Sequence, residues 1–158
     1  MKKIIGVDPG LAATGIGIVS GKGVKISSFA FGSINTCANG SMQSRLSQIF
    51  AQILSVLKNE KPDLMVIEDV FFMPKYPKSG ITLGKVSGVV LLAGSQCGVP
   101  AEEVAVREVK RVLTGNGSSS KVQLEMAVRH QLKLETPIRP YHASDAIALA
   151  LIGLYRLV

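Results

Sequence analysis

The sequence predicts a mixed α/β fold, a five-stranded sheet flanked by helices. Three observations predict it. Short β-branched runs ending in turn signals crowd the N-terminal third, a long helix-period segment separates them from a continuous apolar run, and helical spacing dominates the C-terminal half. The 158 residues suit one domain able to bury ~70% of its unfolded surface. No composition shift marks a linker, so a single domain over 1–158 is expected.

Lys3–Val7 is a β-branched run stopped by Asp8-Pro9-Gly10, which reads as a buried strand meeting a turn. Thr14–Ser20 alternates glycine with β-branched residues and forms a second strand. Gly21-Lys22-Gly23 is a hairpin signal leading into a third, from Val24 to about Ile34. Such short connections make the three strands an antiparallel meander. Met42, Leu46, Ile49, Phe50, Ile53, Leu54 and Leu57 then recur at helical spacing behind Ser41, a good N-cap. Leu64–Ile67 is apolar at every position, as in a strand covered on both faces. An irregular stretch, Phe71–Gly80, precedes a helix over roughly Leu83–Gln96. Val104–Val106 reads as the last strand, and helices follow over Arg107–Leu113, Ser119–Leu132 and Tyr141–Leu157. A helix between the last two strands implies a parallel crossover.

Composition narrows the function. Lys plus Arg number 18 against 11 Asp plus Glu, giving a formal charge of +7 and a pI near 9.6. That balance fits a polyanionic partner such as nucleic acid. Hydrophobic residues at 47% exclude a disordered chain. No apolar run approaches the ~20 residues of a membrane span, and the basic start Met1-Lys2-Lys3 is followed by too short an apolar stretch for a signal peptide. Cys37 and Cys97 have no metal-binding spacing and predict no disulfide framework. The cytoplasm is the expected compartment.

Asp8 and Glu68 each end an apolar strand, where an ionised acid needs a partner. Taken singly, a plain Asp-Pro-Gly turn explains Asp8, and a solvent-facing strand end explains Glu68. Together they carry more weight if their strands are parallel neighbours, because α/β sheets keep their sites at the carboxyl ends. His142 and Asp145 are spaced to share one helix face, ~4.5 Å apart along its axis. As a lone pair they read better as helix caps, and Asp145 near an N-terminus also suits the helix dipole. Taken together, three carboxylates and one imidazole suit hard divalent cations. Two such ions ~3.5–4 Å apart can activate water and stabilise the leaving oxygen in phosphodiester cleavage.

Four stretches carry a resemblance. IIGVDPGLAATGIGIV, VIEDVFF, VREVKRVLTGNGSSSKVQ and HASDAIALA stand in the order and spacing of the RuvC family, the bacterial Holliday-junction resolvases. The chain resembles that family along essentially its whole length. The resemblance implies an RNase H-like fold and a crossover-junction endodeoxyribonuclease acting in DNA recombination and repair. It implies catalytic, metal-holding residues at Asp8, Glu68, His142 and Asp145, served by Mg²⁺, with two ions per site and Mn²⁺ as a substitute. His142 departs from the all-acidic set of many members, which leaves metal preference and pH dependence open. The resemblance further implies four-way junction DNA as substrate, a homodimer making paired nicks, and a RuvA–RuvB branch-migration partner.

Candidate DNA contacts lie in Phe71–Lys78, where aromatics, lysines and prolines mix without periodicity. Stacking on unpaired bases suits Phe71 and Phe72, and a phosphate contact suits Lys75; a loop folded back on the core is the plainer reading. By resemblance Phe71 wedges into the junction centre and Lys110 and Lys121 hold phosphates, with Arg107 and Arg111 adding to the field. Gly115–Ser120 leads into a helix N-terminus that suits either a phosphate or a cap. Gly84, Gly88, Ala93 and Gly94, among Val86, Val89, Val90, Leu91 and Leu92, make Leu83–Gln96 the candidate dimer helix. Two other readings compete. Asp8-Pro9-Gly10 with Thr14 loosely fits the phosphate loop of an actin-like ATP-using kinase, though one chain of this length has room for only one of the two lobes required. A junction-binding module without cleavage is the third, against which Asp8, Glu68 and Asp145 speak.

Overall fold

The computed structural model describes residues 1–70 and 74–157. Three strands come first, β1 (Lys2–Asp8), β2 (Ala13–Lys22) and β3 (Lys25–Asn35), followed by helix α1 (Met42–Glu60) and strand β4 (Leu64–Glu68). Helix α2 (Pro77–Gln96), strand β5 (Ala101–Val104) and helices α3 (Val106–Thr114), α4 (Lys121–Gln131) and α5 (Tyr141–Arg156) complete the chain. The sheet order is β3-β2-β1-β4-β5. β1, β2 and β3 pair antiparallel, whereas β4 runs parallel to both β1 and β5. The expected mixed five-stranded sheet with its meander is present.

Strand alternation splits the interior into two cores. Ile4, Val66 and Val104 point to one face, where α3, α4 and α5 cover them. Ile5, Val7, Met65 and Ile67 point to the other, under Ile49, Ile53 and Leu57 of α1 and Val86, Val90 and Ala93 of α2. Each of these side chains other than Ala93 contributes about 1.5–3 kcal/mol when fully buried. Ser41 caps α1, its hydroxyl accepting from the Ser44 amide at 3.1 Å.

Two boundaries differ from expectation by more than two residues, and one helix face is narrower than expected. β5 lies at Ala101–Val104 rather than Val104–Val106, because an edge strand leaves both Glu102 and Glu103 exposed, one on each face. α2 starts at Pro77, within the stretch read as irregular; proline suits a first helical turn, whose amides lack intrahelical acceptors. Ala93, Gly94, Val86 and Val90 are buried inside the subunit, so the outward stripe of α2 runs through Ile81, Gly84, Lys85, Gly88, Leu92 and Ser95. Both cysteines are free. Among the described residues no helix is long and apolar enough to cross a membrane.

Candidate active site

The parallel pairing of β1 with β4 sets Val7 opposite Ile67. Asp8 and Glu68 therefore emerge next to each other at the carboxyl edge of the sheet. Asp8 is buried at 7% exposure, and Glu68 is half-buried.

Helix α5 brings the other two groups. It lies directly on β1 and β2 because glycines leave room for its backbone: a Cβ at Gly6 would overlap the Ala146 carbonyl oxygen, and one at Gly15 would overlap that of His142. Nearly every side chain from Ala143 to Leu154 is buried in consequence. The capping alternative for His142 and Asp145 does not hold, since the N-cap is Pro140 and no side chain caps the helix. Instead His142 turns toward the strand edge, with Nδ1 2.7 Å from Asp8 Oδ2. Against an ionised carboxylate, which only accepts, His142 Nδ1–H is the donor, and Nε2 keeps its lone pair while the ring is neutral.

Electrostatics bind the set together. Burial raises Glu68 to about 8, helped by the negative charges of Asp8 and Asp145 and opposed by Lys121. Burial likewise raises Asp145 to about 6, helped by Asp8 and opposed by Lys121, His142 and Lys110. His142 is raised chiefly by its hydrogen bond to Asp8, against the effect of burial. Three acids thus share a desolvated edge with too little positive charge to keep all of them ionised. A cation of charge two, bound by oxygen ligands, would supply it, so the donor set fits a hard divalent metal. Among the described residues no three His, Cys, Asp or Glu side chains form a finished ligand cage; Asp8 is engaged by His142 and the acids repel one another. A cleft of about 110 Å³ opens beside Asp8, Glu68 and Asp69, walled by Leu83 of α2 and Val106 of α3. Larger hollows elsewhere contain no comparable cluster of acids.

The remaining candidates divide. Lys121, the first residue of α4, and Lys110 on α3 are close enough to stabilise charge on Asp145. Arg107 is exposed and packs against Gly117 of the α3–α4 loop, and Arg111 is exposed one turn later. Lys75 is exposed just ahead of α2. Phe71 and Phe72 lie outside the described residues. A capping box engages the Gln123 amide with the Ser120 hydroxyl and the Ser120 amide with the Gln123 side chain, which favours the capped-loop reading there. Thr14 has a part that its place in β2 did not signal. Fully buried, its hydroxyl donates to the Gly10 carbonyl at 2.7 Å and accepts from the Gly10 amide at 3.3 Å, closing the loop after Asp8.

The profile of the family described as Crossover junction endodeoxyribonuclease RuvC matches residues 4–153. A protein of that description from Thermosipho melanesiensis is 41% identical over 148 residues, covering 94% of each chain. One from Carboxydothermus hydrogenoformans is 37% identical over 155 residues, 98% of this chain and 97% of the other. Among solved structures, T. thermophilus RuvC in complex with Holliday junction substrate superposes with a TM-score of 0.91 at 30% identity, over 99% of this chain and 95% of that one. The yeast mitochondrial Holliday junction resolvase Ydc2 shares the fold, with a TM-score of 0.63 at 12% identity over 97% of this chain and 77% of that one.

Proposed function

The chain belongs to the crossover junction endodeoxyribonuclease RuvC family, and from that premise we propose that it resolves Holliday junctions by metal-dependent paired nicks in opposing strands. It is a hydrolase of recombination and repair with the RNase H-like architecture of its relatives. The observation that carries the site assignment is the group of three acids and one imidazole at the carboxyl edge of β1 and β4, two of them with carboxyl groups pushed well above the usual range. Neither competing reading accounts for both this group and the full-length family match.

Asp8, Glu68 and Asp145 would hold Mg²⁺, two ions per site, with His142 as the fourth group and Mn²⁺ as a substitute. When bound, the metal lowers the pKa of the attacking water and offsets charge on the phosphodiester oxygens. Glu68, raised to about 8, gains full carboxylate character near neutral pH only when positive charge reaches it, and Asp145, raised to about 6, is favoured as carboxylate by the same charge. His142 is oriented by Asp8 through Nδ1, leaving Nε2 to ligate or to take a proton from the attacking water. Lys110 and Lys121 fix phosphates at the rim, Lys75 and Arg107 extend that field, and Phe71 and Phe72 stack at the opened junction centre.

Paired nicks need two sites related by a two-fold axis. The exposed stripe of α2, Ile81, Gly84, Gly88 and Leu92, is the dimer face in this reading; nothing lies within 4 Å of a Cβ placed on either glycine, so a second helix has room to approach closely. The chain acts as a single domain over 1–158 in the cytoplasm, with a RuvA–RuvB branch-migration complex delivering junctions. The test is cleavage of a synthetic four-way junction in Mg²⁺ or Mn²⁺, with duplex of the same sequence as control. Symmetric nicks confined to the junction are expected, and a junction bound but left intact in both metals refutes the reading.

A further inference from the structure

β3 is the outermost strand of the sheet, and among the described residues none pairs with its outer edge. Exposed edges are usually guarded by charges, prolines or bulges, because their free amides and carbonyls recruit other strands. β3 is poorly guarded. From Ile26 to Ile34 it reads ISSFAFGSI, with no charged residue and no proline. Ser27–Phe31 are all exposed. The rings of Phe29 and Phe31 lie parallel with centroids 6.5 Å apart, at 36% and 40% exposure.

Beside this edge runs a groove of about 810 Å³ between β3 and the C-terminal end of α4. Ile26, Phe29 and Leu132 form its apolar part, and Lys25, His130 and Lys133 its basic part; no acidic residue lines it. The catalytic group does not account for these lysines. Register places Phe29 opposite Val19 and Val19 opposite Ile4, so the groove begins about 13 Å of strand rise away from Asp8 and runs toward the opposite end of the sheet.

We propose that the outer edge of β3 and this groove dock an extended acidic segment of a partner protein, added to the sheet as a further strand. The edge supplies main-chain hydrogen bonds, which give affinity to any extended chain. The stacked phenylalanines and Ile26 take alternate apolar side chains, and Lys25, His130 and Lys133 select acidic ones. Nucleic acid lacks the regularly alternating main-chain amides and carbonyls of an extended peptide that a strand edge pairs with. A second copy would bring Lys25 and the same basic groove toward themselves in a chain that already carries a charge of +7.

The test uses the full-length protein and a fluorescent peptide of alternating glutamate and valine. Controls are the lysine–valine peptide and the acidic peptide N-methylated at alternate residues, which keeps its charge but cannot pair as a strand. Anisotropy should show saturable binding of the acidic peptide alone, weakened ~10-fold or more by the double substitution K25E/K133E. Hydrogen exchange should show new protection confined to Lys25–Ile34 and the groove wall His130–Lys133, with junction cleavage unchanged. The proposal is overturned by absence of binding up to about 1 mM peptide, by equal binding of the lysine or N-methylated peptide, or by protection elsewhere. It is also overturned if β3 becomes protected without peptide as protein concentration rises, or on addition of duplex DNA. The N-methylated control leaves the protein unaltered, so the outcome does not depend on how the substituted chain folds.

Discussion

Replacing Glu68 with glutamine should make the metal-free protein more stable while abolishing cleavage. Glu68 rises from 4.5 to about 8 because its carboxylate is desolvated and faces Asp8 and Asp145. A carboxyl raised in the folded state binds its proton more tightly there than in the unfolded chain. Its burden on stability is therefore absent below pH 4.5, grows as pH climbs, and is complete above about pH 8. At 1.36 kcal/mol per pKa unit the ceiling is roughly 5 kcal/mol. Side-chain movement toward the cleft relieves part of this, so a gain of about 2 kcal/mol at pH 8.5 is expected from Glu68→Gln, or roughly 4–8 °C in Tm for a chain of this size. The assay is thermal unfolding in chelator at pH 8.5 and at pH 4.5. The gain should be present at the first and gone at the second, and Mg²⁺ should raise the Tm of the wild type much more than that of the variant. In parallel, Glu68→Gln should bind junctions normally and leave them uncut. A variant no more stable than wild type at pH 8.5, or equally stabilised at both pH values, would refute the reasoning, since Glu68 would then not be a desolvated acid among acids.

Three further outcomes are expected. In the metal-free protein His142 should titrate above 6.5 by NMR, its pair with Asp8 stabilising fully below 6.5 and fading as pH rises through the folded value; Asp8→Asn should bring the value back toward 6.5, and no movement would separate the two residues. Cleavage should fall on the acid side as Nε2 is protonated, and His142→Asp should retain substantial activity without that inflection if the ring is chiefly a ligand, but be slow if it shuttles a proton. Glu125→Ala should cost about 2–4 kcal/mol in urea unfolding, because the buried Glu125 accepts from the Ile138 amide at 2.8 Å and faces Arg129 at 3.3 Å, and its loss strands both donors. Gly88→Glu should give monomers by sedimentation and uncouple the paired nicks, whereas an unchanged dimer would move the two-fold axis off α2.

Local chemistry made most of the fold legible. Ser41, the period of α1 and the uniformly apolar run Leu64–Ile67 each point to one element, and those elements formed. β5 was displaced because its glutamates mask an edge strand whose apolar partners are supplied by β4, something no local pattern carries. α2 was shortened because Pro77, Lys78 and Gly80 look like loop residues until the first-turn tolerance of proline is considered. The acids of the site were legible singly, as charges at the ends of apolar runs. Their convergence was not, since it rests on strand order and on a contact between His142 and Asp8 that are 134 residues apart in the chain. The clamp of Thr14 on Gly10 was hidden inside a β-branched pattern that explains itself.

The seat of α5 has a consequence for how this site can change. Where helix and sheet meet through Gly6 and Gly15, main chain rests on main chain. Side-chain spacers can shrink or swell by a methylene and retune a geometry in small steps; a bare seat cannot. A methyl group at Gly15 would push against the His142 carbonyl itself and carry the imidazole and Asp145 away from Asp8 together. Variation therefore has one free coordinate here, the identity of the groups that α5 presents, while their position stays fixed. An imidazole in place of an acid at position 142 is a change of that kind, with the helix that bears it left where it was.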